Sequence, residues 1–222
     1  MQNLYLKILD EISRTARSCG RDPADIKLVA VTKTVGWDKI LPLYDAGQRD
    51  FGENRVSDAL EKKVIAPKDC RWHLIGSLQS NKVRKAIGNF VLIHSVDTPE
   101  LAKKLSDASV EAGVVTSILL QVNISGEGSK HGLSAGEWIV KFQDIHHLPG
   151  IKIEGLMTMA PMTEDLGTIR SCFRGLRELR DEMKKLYPTT PLKELSMGMS
   201  GDFKIAIEEG ATLVRIGSAL FR

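Results

Sequence analysis

The chain has 222 residues, of which 42% are hydrophobic and 27% charged, and its formal net charge is only +3. These values are typical of one globular domain and argue against a nucleic-acid-binding surface. No apolar stretch approaches the roughly 18 residues of a membrane-spanning helix. The three cysteines form no CxxC pair, so neither a zinc site nor a disulfide framework is indicated. We therefore expect one cytoplasmic domain over residues 1–222, without metal, membrane or nucleic-acid partner.

The sequence pattern predicts strands and helices that alternate along the chain. Residues 3–19 have helical periodicity, and the next segment, Leu28–Val31, is an unbroken apolar run typical of a strand buried on both faces. Further helices are predicted at 37–46, 56–64, 79–87, 99–112, 134–146, 163–186 and 202–209. Further strands are predicted at 50–55, 72–76, 90–96, 117–123, 151–159, 194–199 and 212–216, and a Gly/Ser loop at 125–129.

About eight strand–helix units in one domain predict an α/β fold, the (β/α)8 TIM barrel. The alternative is an open doubly wound sheet, although no GxGxxG follows the first strand. In a barrel, the chemistry lies at the carboxyl ends of the strands. Those ends carry Lys33, Asn54, His73, Ser77, Asn123, Met157, Ser200 and Ser218, with Arg215 just inside the eighth strand.

Lys33 follows the first apolar strand, where a lysine has two possible roles. It can bury its stem and extend its amine to solvent, as strand-end lysines commonly do. Alternatively it can form a Schiff base, because a buried amine readily loses its charge and a neutral amine attacks an aldehyde. The position alone leaves both interpretations open.

Two short Gly/Ser turns follow the last two strands, at 199–202 and 216–218. Many barrels bind phosphate in this region, at the N-terminus of a helix whose free N–H groups attract an anion. Ser200 or Asp202 could instead be an ordinary helix cap. The occurrence of two such turns at one barrel mouth with Lys33 favours a phosphate.

Arg215 lies on an apolar strand and needs a partner, because a buried guanidinium cannot lose its charge. A carboxylate such as Glu194 or Glu208 would serve. The alternative partner is an acceptor atom of a ligand in the barrel mouth.

Three other strand-end residues are ambiguous from the sequence. Asn54 could hold a ligand group or cap the next helix, and Met157 could contact a ligand or fill the core. His73 has no acid nearby in the sequence, so we expect a structural, hydrogen-bonded histidine.

Several motifs, in this order over nearly the whole chain, resemble the pyridoxal phosphate homeostasis protein family. They are VAVTKT at 29–34, FGENR at 51–55, WHLIGSLQSNK at 72–82, GLMTM at 155–159, LSMGMSGD at 195–202 and VRIGSALF at 214–221. This family resembles the barrel domain of alanine racemase without that enzyme's second domain. The match adds a specific ligand to the barrel predicted from periodicity.

The resemblance implies a role for each matching residue. Lys33 would hold pyridoxal 5′-phosphate (PLP) as an internal aldimine, Arg215 would face the pyridine nitrogen and Asn54 would lie near the ring. An arginine there keeps the nitrogen unprotonated, which weakens the ring as an electron sink. Ser200, Gly217 and Ser218 would form the phosphate cradle. The cofactor-binding candidates are therefore Lys33, Asn54, Met157, Ser200, Arg215, Gly217 and Ser218, with no catalytic residue and no metal ligand.

The resemblance also implies a function, a PLP carrier without established turnover that buffers the cofactor or delivers it to PLP-dependent apo-enzymes. A first alternative is a PLP-dependent amino-acid racemase, which needs a second base that related racemases draw from another domain. A second alternative is an aldolase-like barrel in which Lys33 bonds a sugar phosphate. The lack of a second domain favours a monomer.

Overall fold

The computed structural model describes residues 2–127 and 131–221. Within these residues, eight parallel strands close into a barrel in sequence order, with β8 paired to β1. The strands are β1 (Lys27–Val31), β2 (Asp50–Glu53), β3 (Arg71–Leu74), β4 (Leu92–Val96), β5 (Thr116–Gln121), β6 (Ile151–Met157), β7 (Glu194–Ser196) and β8 (Leu213–Ile216). The predicted barrel is confirmed, and the closed order of the strands rules out the open sheet.

Helices connect successive strands around the outside. They are α1 (Gln2–Ser18), α2 (Trp37–Asp45), α3 (Val56–Ile65), α4 (Val83–Ala86), α5 (Pro99–Glu111), α6 (Ala135–Phe142), α7 (Leu166–Leu186), α8 (Phe203–Glu208) and α9 (Ser218–Phe221). None of them, over the ranges described, has the length and apolar character needed to cross a membrane. Of the predicted loop at 125–129, Gly128 and Ser129 lie outside the described residues.

Three predicted elements differ from the structure in ways that affect the barrel mouth. The predicted helix at 79–87 is a 3₁₀ turn over Ser80–Lys82 followed by the single-turn α4. The strands β6 and β7 end at Met157 and Ser196, two and three residues before the predicted ends. The segments that follow these two strands are therefore loops at the mouth, where their side chains and amides can face a ligand.

The apolar core has two layers. The larger layer lies between the strands and the helices, and α7 contributes Ile169, Phe173 and Leu176 from one face at helical spacing. A separate small cluster fills part of the barrel interior and comprises Val29, Leu92, Leu119, Met157 and Leu213. The remaining interior carries buried polar side chains, which are described with the site.

Candidate functional site

A cavity of about 530 Å³ opens at the carboxyl ends of the strands, a volume within the usual range for small-molecule sites. Six of the seven cofactor-binding candidates line it together, and they are Lys33, Asn54, Ser200, Arg215, Gly217 and Ser218. Ser77, predicted at the end of the third strand, lines it as well. The barrel thus brings residues from its first, second, seventh and eighth strand ends to one place. Gln121, His131 and Met159 also line the cavity. The sequence pattern does not single them out, although Met159 ends the predicted sixth strand.

Lys33 is exposed at the edge of this cavity and makes no hydrogen bond or ion pair with any other described residue. The residue before it is held firmly. The carbonyl oxygen of Thr32 accepts a 2.6 Å hydrogen bond from Lys62, and the hydroxyl of Thr32 donates to Glu53 at 2.5 Å. Lys33 therefore presents an unengaged amine from a fixed strand end.

Asn54 lines the cavity and does not cap α3. The helix begins at Val56 with Arg55 at the N-cap position, and no side chain caps it. The capping interpretation of Asn54 is therefore wrong. Gly76 packs directly on this segment, because a Cβ atom there would lie only 2.4 Å from the Asn54 carbonyl oxygen. A glycine after β3 thus permits the close approach that shapes this wall.

The turn after β7 is closed by its own residues. Asp202 accepts a 2.5 Å hydrogen bond from the Met199 amide, and its amide donates back to the Met199 carbonyl at 3.2 Å. Burial raises the pKa of Asp202, while the Met199 hydrogen bond and the charge of Arg215 oppose that rise. Because this carboxyl group holds the turn rather than capping α8, Ser200 and Gly201 remain at the cavity wall.

The turn after β8 lies against the first strand. A Cβ atom at Gly217 would lie 3.2 Å from the Cβ of Val31, so this position has little room for a side chain. Ser218 follows as the first residue of α9 and is exposed at the cavity. The close packing of Gly217 on β1 places Ser218 at the same mouth as Lys33.

Arg215 is 4% exposed and lines the cavity from the barrel interior. Its guanidinium donates to the Ser196 hydroxyl at 2.5 Å and to the Thr158 carbonyl at 2.9 Å. Burial lowers the pKa of Arg215 to about 10, against the opposing charge of Asp202. The group therefore remains a cation at neutral pH, and no carboxylate among the described residues forms a salt bridge with it.

The two carboxylates considered as partners of Arg215 are engaged elsewhere. Glu194 lies 3.7 Å from Lys27 and accepts a hydrogen bond from Thr212. Glu208 pairs with Arg170. Glu194 and Glu208 are therefore not the partners of Arg215. Its charge interacts with that of Asp202 without forming a salt bridge and is available to a ligand at the mouth.

A chain of hydrogen bonds continues from Arg215 into the barrel. Ser196 Oγ lies 2.8 Å from His94 Nδ1, His94 Nε2 lies 3.0 Å from His73 Nδ1, and His73 Nε2 lies 3.0 Å from Asp50 Oδ1. His73 is thus hydrogen-bonded as expected, yet it is buried inside the barrel rather than at the mouth. Its acid comes from the neighbouring strand.

Met157 does not line the cavity, although the sequence places it among the cofactor-binding candidates. Its side chain is 1% exposed and packs in the interior apolar cluster. Met159 reaches the cavity in its place, because two more residues of extended chain rise about 6.6 Å towards the mouth. Asn123 also misses the cavity, since its side chain closes a turn with Gly126.

The fold and mouth define a class of protein. The chain belongs to the alanine racemase N-terminal domain family, whose model matches residues 8–222. At 15% identity and a TM-score of 0.76, alanine racemase of Clostridium difficile shares the fold, with 96% of this chain covering 55% of that one.

Within this class, the chain is similar to several proteins called pyridoxal phosphate homeostasis protein. It is 41% identical to the one from Aquifex aeolicus over 216 residues, which cover 97% of this chain and 94% of that protein. The Escherichia coli protein is 36% identical over 220 residues, covering 97% and 93%. The solved structure of PipY from Synechococcus elongatus with PLP bound is 37% identical, with a TM-score of 0.85, and covers 96% of this chain and all of that one.

Proposed function

We propose that this protein binds pyridoxal 5′-phosphate in the barrel-mouth cavity and serves PLP homeostasis. The observation that carries the proposal is the arrangement of the mouth. An unengaged lysine amine, two Gly/Ser turns and a buried arginine share one cavity there. When bound, PLP supplies an aldehyde that condenses with an amine and releases water.

Lys33 is the residue that we assign to the covalent link. Its amine is unengaged in the described part of the chain and emerges from a strand end that Lys62 and Glu53 hold in place. A flexible side chain on a fixed backbone can reach the aldehyde without rearranging the barrel.

The turns at Ser200 and at Gly217–Ser218 are assigned to the phosphate. Backbone amides and hydroxyl groups are good donors to phosphate oxygens, and both turns lie where barrels commonly bind this group. The nearby charge of Arg215 attracts the ligand, and its guanidinium is assigned to the pyridine nitrogen. A cation at that position disfavours a second positive charge on the ring.

A carrier fits the comparisons better than a racemase does. The similar proteins at 41% and 36% identity are named for PLP homeostasis. The similarity to alanine racemase, at 15% identity, extends to the fold alone. We propose that the recipients are PLP-dependent apo-enzymes, which would take the cofactor from an exposed lysine at an open mouth.

Reductive trapping tests the proposal. Purified protein incubated with PLP should absorb visible light, and borohydride should then fix one cofactor to the peptide containing Lys33, as read by mass spectrometry. Lys33→Ala should lose the adduct while keeping its circular dichroism spectrum. Lys39→Ala, which removes an exposed lysine of α2, is the control and should label like the parent. An adduct on another lysine, or none, would contradict the assignment.

A further inference from the structure

Five buried polar side chains from five strands form one hydrogen-bonded column across the barrel. In order from the mouth they are Arg215, Ser196, His94, His73 and Asp50, and none is more than 8% exposed. The four contacts along the column measure 2.5, 2.8, 3.0 and 3.0 Å. At this depth an unpaired polar group is costly, so each member needs its neighbours.

The two ends of the column set its direction. A guanidinium can only donate, so Arg215 donates to Ser196. At the opposite face of the barrel, Asp50 accepts two hydrogen bonds from Arg71, at 2.8 and 2.5 Å. Burial alone would raise the pKa of Asp50, but the hydrogen bonds from Arg71 and His73 outweigh burial and hold it well below its usual value. Asp50 is therefore an ionised group that only accepts.

The middle of the column then has one arrangement when both imidazoles are neutral. The Ser196 hydroxyl donates to His94 Nδ1, His94 donates from Nε2, and His73 donates from Nε2 to Asp50. Three hydrogens serve the three contacts that remain, each pointing away from the mouth. Any other neutral arrangement places two lone pairs or two hydrogens against each other.

We propose that Ser196, His94, His73 and Asp50 are positioning residues for Arg215, a one-directional column that holds its guanidinium at the cavity and transmits protonation from the Asp50 end to a bound ligand. This inference rests on the proposed function for the identity of the ligand. The column itself is a property of the protein without ligand.

Protonation of the column would reverse part of it. A proton added to His73 Nδ1 forces His94 to accept at Nε2 and to carry its hydrogen on Nδ1, facing Ser196. Ser196 Oγ would then accept from both His94 and Arg215, its own hydrogen would lose its acceptor, and Arg215 would share that oxygen with a second donor. The charged groups that face the two histidines from the packed strands are Asp50, with its partner Arg71, and Arg215.

Nitrogen NMR of protein labelled at histidine, without ligand, tests the direction of the column. At pH 8, His73 and His94 should both carry their hydrogen on Nε2. In Asp50→Asn, the amide offers a donor as well as an acceptor, so His94 should become a mixture of tautomers although Asp50 contacts His73 and not His94. Hydrogen on Nδ1 of His94 in the parent, or an unchanged His94 in the variant, would overturn the proposal.

Ser109→Ala is the matched control for both experiments. It removes a buried hydroxyl that bonds Thr116 at 2.8 Å and has no contact with the column. It should leave both histidine tautomers unchanged. The tautomers of His73 and His94 in the parent protein decide the direction of the column without any variant. Misfolding of Asp50→Asn would therefore not affect that result.

Cofactor binding tests the effect on the ligand. Ser196→Ala should weaken PLP binding about tenfold, the value of one hydrogen bond to a charged group, and shift its visible absorbance band. Ser196→Thr keeps the hydroxyl and should restore both. A wild-type spectrum and affinity in Ser196→Ala would overturn the inference. Failure of the parent protein to bind PLP would contradict the proposed function instead, without altering the tautomer result.

Discussion

Lys62 Nζ lies 2.6 Å from Oε1 of Glu53, and both side chains are largely buried where α3 packs on β2, at 13% and 0% exposure. The same amine donates to the carbonyl of Thr32, one residue before Lys33. The second carboxylate oxygen of Glu53 has no partner among the described residues. Through these two contacts, Lys62 connects the end of β2 to the segment after β1, next to the lysine assigned to the cofactor.

Lys62→Met should therefore destabilise the protein strongly. It leaves the Glu53 carboxyl group buried without its cation, and breaking a buried ion pair from one side typically costs about 3–5 kcal/mol. The free energy of unfolding in urea measures the loss. Lys103→Met, at an exposed site of α5, should change stability by less than about 0.5 kcal/mol. Equal small effects in both variants would show that Lys62 contributes little.

Removing both turn hydroxyls should weaken retention of the phosphorylated ligand in particular. The double variant Ser200→Ala with Ser218→Ala loses two donors at the proposed phosphate position, each worth about 1 kcal/mol. Its preference for PLP over unphosphorylated pyridoxal should fall about tenfold or more, as measured by equilibrium dialysis. Ser171→Ala, on the exposed face of α7, is the control. An unchanged preference would place the phosphate elsewhere.

Gly76→Ala should distort the wall that carries Asn54. The added Cβ atom would lie 2.4 Å from the Asn54 carbonyl oxygen, so the backbone must move. We expect a loss of about 1–3 kcal/mol in the free energy of unfolding, with weaker PLP binding. Gly136→Ala is the matched control, because nothing lies within 4 Å of the new methyl group. Inside α6 it should stabilise the protein by up to about 1 kcal/mol.

Stability should fall as the pH falls below about 6.5, in part because of His94. Burial in the first place, with the neighbouring His73 and the charge of Arg215, holds the pKa of His94 well below its ordinary value of 6.5. Below pH 6.5 the unfolded chain binds a proton that the folded protein excludes, so this contribution is present at higher pH and lost on acidification. One such group gives a slope of at most about 1.4 kcal/mol per pH unit.

Urea unfolding between pH 5 and 8 measures that slope. His94→Gln should reduce it, because glutamine does not titrate. His147→Gln, at an exposed site, should keep the parent slope. A slope that survives in His94→Gln would assign the acid sensitivity to other groups.

The sequence by itself determined the barrel and most of the residues at its mouth. Apolar strands alternating with amphipathic helices indicate a parallel α/β fold through local periodicity. Strand ends can be read from the same pattern, so the sequence alone places Lys33, Ser200 and Ser218 at one mouth. The strand-end positions already indicated where the site lies, and the family motifs added the identity of its ligand.

Only the tertiary structure decided which groups satisfy the buried charges. His94 and Ser196 are 102 positions apart in the chain, and Arg215 bonds Thr158 across 57 positions. Met157 is the last residue of β6, yet its side chain packs in the interior apolar cluster below the mouth, and strand prediction did not resolve that depth. Hydrogen-bond partners inside a barrel come from strands that meet only when the sheet closes, and local sequence periodicity carries no information about that meeting.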